Sequence, residues 1–161
     1  MSVRAAKLGD IETLLFIAHE TQKALRAAGS LQEIGIHQQN ELEDYVSRGY
    51  MYLFEEEGVL GSVKLEPLPA DKVQQWTLQP KRKYTFLSNF MLLPKYQNSG
   101  RGVKLMERIL LLLHDEETTV VLDCWEGNSK LRHFYQEKCH FTLHGVFPEN
   151  DYWIAVFKKL R

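Results

Sequence analysis

The segment Gln97-x-x-Gly100-x-Gly102 is where this chain is best built to hold a charged ligand. An apolar run from Phe86 to Leu93 precedes it and reads as a strand. After it, Val103, Leu105, Met106, Ile109, Leu110 and Leu113 recur at helical spacing. A strand that turns over glycines into a helix leaves backbone N–H groups unpaired at the positive end of the helix dipole. Such a turn is a seat for a phosphate or pyrophosphate. Glycine matters there because a side chain would keep the backbone away from the anion. The same glycines also fit a βα turn that needs only tight geometry.

Two familiar phosphate motifs do not match. A P-loop needs four residues between its glycines, followed by Lys and Ser or Thr; here one residue separates Gly100 from Gly102, and Val103 and Lys104 follow. A dinucleotide fingerprint needs a third glycine where this chain has Leu105. The 161 residues predict one domain with one good core. A formal net charge of −1 argues against a nucleic-acid partner bound through bulk charge. The longest aliphatic run, Leu110 to Leu113, is too short to span a membrane, and Arg4 and Lys7 precede no apolar signal core. Cys124 and Cys139 lack framework spacing and fit a reducing cytoplasm. Cys124 has no base or cation beside it in sequence, so a structural thiol is expected rather than a nucleophile. No metal-ligand pattern is present in the sequence.

The elements that must position this turn follow from pattern. Val3 to Ala6 predicts a first strand, and Asp10 a cap for a helix running to Ala28 with Ile11, Leu14, Leu15, Ala18 and Leu25 on one face. Asn40 and Glu43 open a short second helix to Arg48. Met51–Phe54 and Val59–Leu65 alternate as a hairpin about Glu55-Glu56-Glu57-Gly58. Glu66 to Lys83 reads as a long polar connection. The central strand, the glycine turn and a third helix come next, then a strand over 118–124, a helix over 128–139, and closing strands near 141–147 and 152–158. That order predicts a mixed sheet with helices packed on it, in the α/β or α+β class.

After the strand Val120–Cys124 comes Trp125-Glu126-Gly127-Asn128, then Phe134-Tyr135 and His140-Phe141. Together with the glycine turn about 30 residues earlier, Asn128 and Tyr135 resemble the GNAT superfamily of acyl-CoA N-acyltransferases, with His140-Phe141 where that family usually has Gly-Phe. The resemblance implies a mixed, mostly antiparallel sheet of about seven strands flanked by about four helices, splayed between the fourth and fifth strands. It implies acetyl-CoA as co-substrate and no metal. Asn98, Ser99, Gly100, Arg101, Gly102 and Val103 would wrap the coenzyme pyrophosphate. Many members carry basic residues where this chain has Asn98-Ser99; Arg101, Lys104 or Lys95 would supply the charge. Backbone groups of Phe90, Met91 and Leu92 would pair with the pantetheine arm as an added strand would. Asn128 would hydrogen-bond that arm, or simply cap its helix.

The resemblance also implies the catalytic pair. Tyr135 would protonate the departing thiolate as general acid, and Asp123, five residues before Asn128, would accept the amine's proton, through water. Glu126 is a neighbouring alternative for the base, and Trp76, Trp125, Tyr50 and Tyr52 are candidate pocket aromatics. The acceptor is an amine, with its groove expected across Ala18–Gln39 and His144–Trp153, where Glu20, Glu33, His37, Glu149 and Asp151 lie. No nucleic acid or membrane partner is expected, and a homodimer is left open. A non-catalytic acyl-CoA-binding module is the rival reading.

Overall fold

A computed structural model describes residues 1–30, 38–114 and 116–160. Seven strands form one sheet: β1 (Ser2–Ala5), β2 (Met51–Glu55), β3 (Val59–Pro67), β4 (Tyr84–Leu92), β5 (Thr119–Trp125), β6 (Thr142–Glu149) and β7 (Tyr152–Leu160). Their spatial order is β1-β2-β3-β4-β5-β7-β6. Every neighbouring pair is antiparallel except β4 and β5, which run parallel. Among the described residues five α-helices accompany the sheet: α1 (Ile11–Ala27), α2 (Gln39–Ser47), α3 (Ala70–Gln75), α4 (Arg101–Leu112) and α5 (Ser129–His133).

Side-chain alternation along the strands separates two faces. On one face α1 and α2 bury Ile11, Leu14, Ile17, Leu42 and Val46 against Met51, Leu53 and Met91. Beside them Trp76, just past α3, covers Phe86, Val121 and Ile154. On the other face α4 lays Leu105, Met106 and Ile109 on Leu87, Val120 and Leu122. Each such fully buried aliphatic side chain contributes about 2 kcal/mol.

Several boundaries differ from the pattern-based reading. The Glu66–Lys83 connection contains α3, which Pro69 precedes. No apolar periodicity marks so short a helix; it is held by Val73 and Trp76 against the sheet. Asp10 stands before α1 but its carboxylate does not cap it. It is taken instead by the Arg4 guanidinium, at 2.8 and 3.0 Å, and by the Lys7 N–H. Gln38, not Asn40, precedes α2. The helix expected over 128–139 stops being α-helical at His133 and continues as one π-helical turn, Phe134–Lys138.

Candidate active site at the β4–β5 seam

The seam between β4 and β5 is hydrogen-bonded at one end only. Tyr84, Thr85 and Phe86 face Thr119, Val120 and Val121, and the ladder ends there although both strands continue. The cause is a bulge in β4. On β3, Ser62 faces Met91 and Lys64 faces Ser88, so β4 carries an extra residue. Asn89 adopts φ +52°, a left-handed conformation that asparagine tolerates better than most residues. A bulge bends its strand and sharpens the local twist. Gly61 makes room for it: a Cβ there would lie 1.9 Å from the Met91 carbonyl oxygen. The splay implied by the family resemblance is therefore present, and backbone geometry produces it.

Phe90, Met91 and Leu92 line the diverging edge of β4. Their side chains are committed to packing: Phe90 stacks on Phe134 at 6.2 Å, Met91 packs with the α1 side, and Leu92 with the α4 side. The Leu92 carbonyl accepts from the Gln97 side chain at 3.0 Å, which ties the strand end to the turn.

The glycine turn opens α4 as expected. Asn98 and Gly100 both have left-handed backbone, φ +58° and +78°, the conformation found in anion-binding nests. The Ser99 hydroxyl donates to the Tyr96 carbonyl, and no side chain caps the helix start. Arg101, Gly102 and Val103 thus present first-turn N–H groups at a positive helix end. The two glycines differ. A Cβ on Gly100 would meet no protein atom within 4 Å, so that side of the turn is open. A Cβ on Gly102 would meet the Phe134 ring at 3.0 Å, so Gly102 serves helix packing. The Arg101 guanidinium is not free for an anion: it bonds the Glu56 carboxylate at 3.0 Å and holds that carboxyl below its ordinary range. Lys104 is exposed on the first turn, and Lys95 lies over the Tyr96 ring.

Tyr135 sits in the π-helical turn, buried beneath the seam among Phe134, Phe141 and Phe157 at 5.4, 6.4 and 6.0 Å. Burial pushes its phenol well above the ordinary range, and nearby Cys124, Cys139 and Asp123 add to the shift. The hydroxyl therefore keeps its proton throughout the neutral range. Cys124 is buried and its thiol is pushed up to about 12, chiefly by burial, which suits a structural thiol. Asn128 caps α5: its Oδ1 accepts from the Leu131 N–H at 3.0 Å. Its Nδ2 makes no hydrogen bond among the described residues.

Asp123 is half-buried on β5, one residue before Cys124, so it points to the face opposite Tyr135. Loss of solvent pushes its carboxyl up to about 7; Glu149 adds to the rise and Lys72 opposes it. Lys72 and Glu149 are 3.9 Å apart, and the Tyr152 hydroxyl donates to Glu149 at 3.4 Å. The Glu126 carboxylate is engaged by Arg132 at 3.2 Å. Trp76 is fully buried core rather than a pocket wall. Trp125, Tyr50 and Tyr52 are half-buried. Glu33 and His37 lie outside the described residues. Sequence reasoning missed Gly61, Asn89, Phe134 and Lys72. A glycine inside the alternating run Val59–Leu65, and an asparagine inside Phe86–Leu93, were the signals for the first two.

The sequence profile of the acetyltransferase (GNAT) family matches residues 14–141, and the chain belongs to that family. Solved structures share the fold across nearly the whole chain. An acetyltransferase of the GNAT family from Listeria monocytogenes superposes with a TM-score of 0.81 at 20% identity, over 99% of this chain and 94% of its own. PaiA N-acetyltransferase from Thermoplasma acidophilum, in complex with coenzyme A, gives 0.71 at 18% identity over 98% of each chain. Ribosomal-protein-alanine N-acetyltransferase from Brucella melitensis gives 0.71 at 15% identity over 100% of each chain. No curated protein matches the chain in sequence.

Proposed function

We propose that this protein moves an acetyl group from acetyl-CoA to a primary amine by direct attack within a ternary complex. The observation that carries the reading is the seam: two strands part at a bulge, and the parting strand leads into an uncapped, glycine-opened helix. An extended arm ending in a pyrophosphate fits those two features together. The pyrophosphate would take backbone N–H groups from Asn98 to Val103. The arm would run along the unpaired edge of Phe90–Leu92, with the free Asn128 Nδ2 as a further donor. The family and the coenzyme A complex of the Thermoplasma relative support the choice of donor.

The chain's own groups then divide the proton work by face. Asp123, held up to about 7, accepts a proton from the incoming ammonium on the α3 side, directly or through water. Tyr135, protonated and buried on the α4 side, gives a proton to the departing sulfur and is restored by the second proton the nitrogen sheds as the amide forms. Holding donor and amine across one narrow seam supplies much of the rate. Asp123 and Glu149 together favour a cationic acceptor, a small amine or a peptide N-terminus.

The test is calorimetric titration of acetyl-CoA into the purified protein, with ATP and NAD as controls, followed by amine-dependent thiol release. Selective micromolar binding with turnover is expected. Binding without turnover on any amine leaves an acyl-CoA-binding module. No binding of acetyl-CoA or a longer acyl-CoA defeats the reading.

A further inference from the structure

At the closed end of the seam, away from the glycine turn, lies a cleft of about 290 Å³. Tyr84 and Thr119, the first facing pair of the β4–β5 ladder, form part of its wall. Arg82, Lys158, Lys159 and His140 also line it, and no carboxylate does among the described residues. Lys159 is anchored, donating to the Cys139 carbonyl at 2.9 Å. Arg82 and Lys158 make no ion pair among the described residues, whereas Lys83, next in sequence to Arg82, bridges Glu116 at 2.7 Å. A second observation is independent of charge. The Thr119 side chain is 4% exposed, and its hydroxyl has no hydrogen-bond partner among the described residues. A buried hydroxyl left unpaired is costly, so such groups are normally satisfied.

We propose that this cleft is a second binding site, for a compact metabolite carrying two or more negative charges on phosphate or carboxylate oxygens. Arg82 and Lys158 supply the charge, and rotation of the Thr119 side chain about χ1 brings its buried hydroxyl to one oxygen. The volume is at the lower end for ligand pockets, which suits a phosphomonoester or a tricarboxylate and excludes a dinucleotide. The site stands apart from the proposed coenzyme seat, since the cleft shares no residue with the glycine turn.

The experiment is an amide NMR titration of the full chain with inorganic phosphate and, separately, with citrate, against potassium chloride at matched ionic strength. Saturable shifts at Thr119, Thr142 and Lys158 are expected with one or both anions and not with chloride. The anion that saturates first identifies phosphate or carboxylate chemistry. Shifts at Gly100–Val103 would report the turn separately. In Arg82→Glu with Lys158→Glu, the cleft shifts should weaken at least tenfold while amide dispersion is retained. Thr119→Val, which keeps both charges, should weaken them several-fold. Absence of cleft shifts with either anion, or shifts unchanged in the double variant, overturns the proposal.

Discussion

The two ends of the β4–β5 seam are made from the same two strands and behave as opposites. At the closed end, Phe86 and Val121 pair in register and are sealed by Trp76. At the open end, Phe90 and Met91 have left β5 and pack instead toward Phe134 and α1. Both ends are apolar and β-prone, so composition does not separate them. The difference comes from one inserted residue, Asn89, and from one missing side chain, at Gly61. Strand pairing here is decided by backbone geometry rather than by hydrophobicity.

The sharpest way to break this contrast is Gly61→Val. The new side chain collides with the Met91 carbonyl, so the bulge must flatten or β3 must move. We expect a loss of about 3 kcal/mol in urea unfolding, with acetyl-CoA binding abolished. Stability within 0.5 kcal/mol of the parent would show that the bulge does not depend on Gly61. Next comes Tyr135→Phe, which leaves the open end in place and removes one proton donor. Turnover should fall about 100-fold while the calorimetric affinity for acetyl-CoA holds. Equal activity would remove Tyr135 from the reaction.

Gly100→Glu places a carboxylate in the open space beside the anion seat and forces a strained left-handed backbone. Acetyl-CoA affinity should drop on the order of 100-fold, for loss of charge-assisted hydrogen bonds and added repulsion; unchanged affinity would move the pyrophosphate elsewhere. At the closed end, Val121→Ala opens a cavity beneath Trp76 and should cost about 2 kcal/mol, with kcat preserved at temperatures where the protein stays folded. A collapse of kcat in the folded variant would mean that the closed end also sets the chemistry.

The last test concerns pH. Asp123 ionises near 7 in the folded protein but near 4 in the unfolded chain. Between those values the folded state holds a proton that the unfolded state has lost, so stability falls as pH rises through that window. Asp123→Asn should lack this fall and gain relative thermal stability above pH 7. The parent's kcat/KM should rise with pH through about 7 and then level, and the Asn variant should lose that limb. A limb that survives the substitution assigns the base elsewhere.

Much of the frame was legible from pattern alone. The helical repeat from Val103 to Leu113 and the alternation of Val59–Leu65 each name their element because burial on one face leaves a period. The turn at Gly100 was legible because few residues accept its backbone. What escaped notice has no period. α3 is too short to show one, and the π-helical turn that sets the Phe134 ring against Gly102 leaves no sequence period of its own. Strand alternation puts Asp123 and Cys124 on opposite faces, and Tyr135 joins the Cys124 face only through the packing of its helix. The joint relevance of Asp123 and Tyr135 to one seam is invisible until the sheet opens between them.

The seat proposed for the donor is written in main-chain atoms: a bulge, a left-handed glycine and a run of free N–H groups. Such a seat constrains few side chains, and the fold itself is kept at low identity: the Listeria monocytogenes structure superposes at a TM-score of 0.81 with 20% identity. On the proposed reading, drift can then rework the acceptor side, around Glu149 and α1, without disturbing how the acyl carrier would be gripped. A fold organised this way diversifies by changing what it modifies while conserving what it spends.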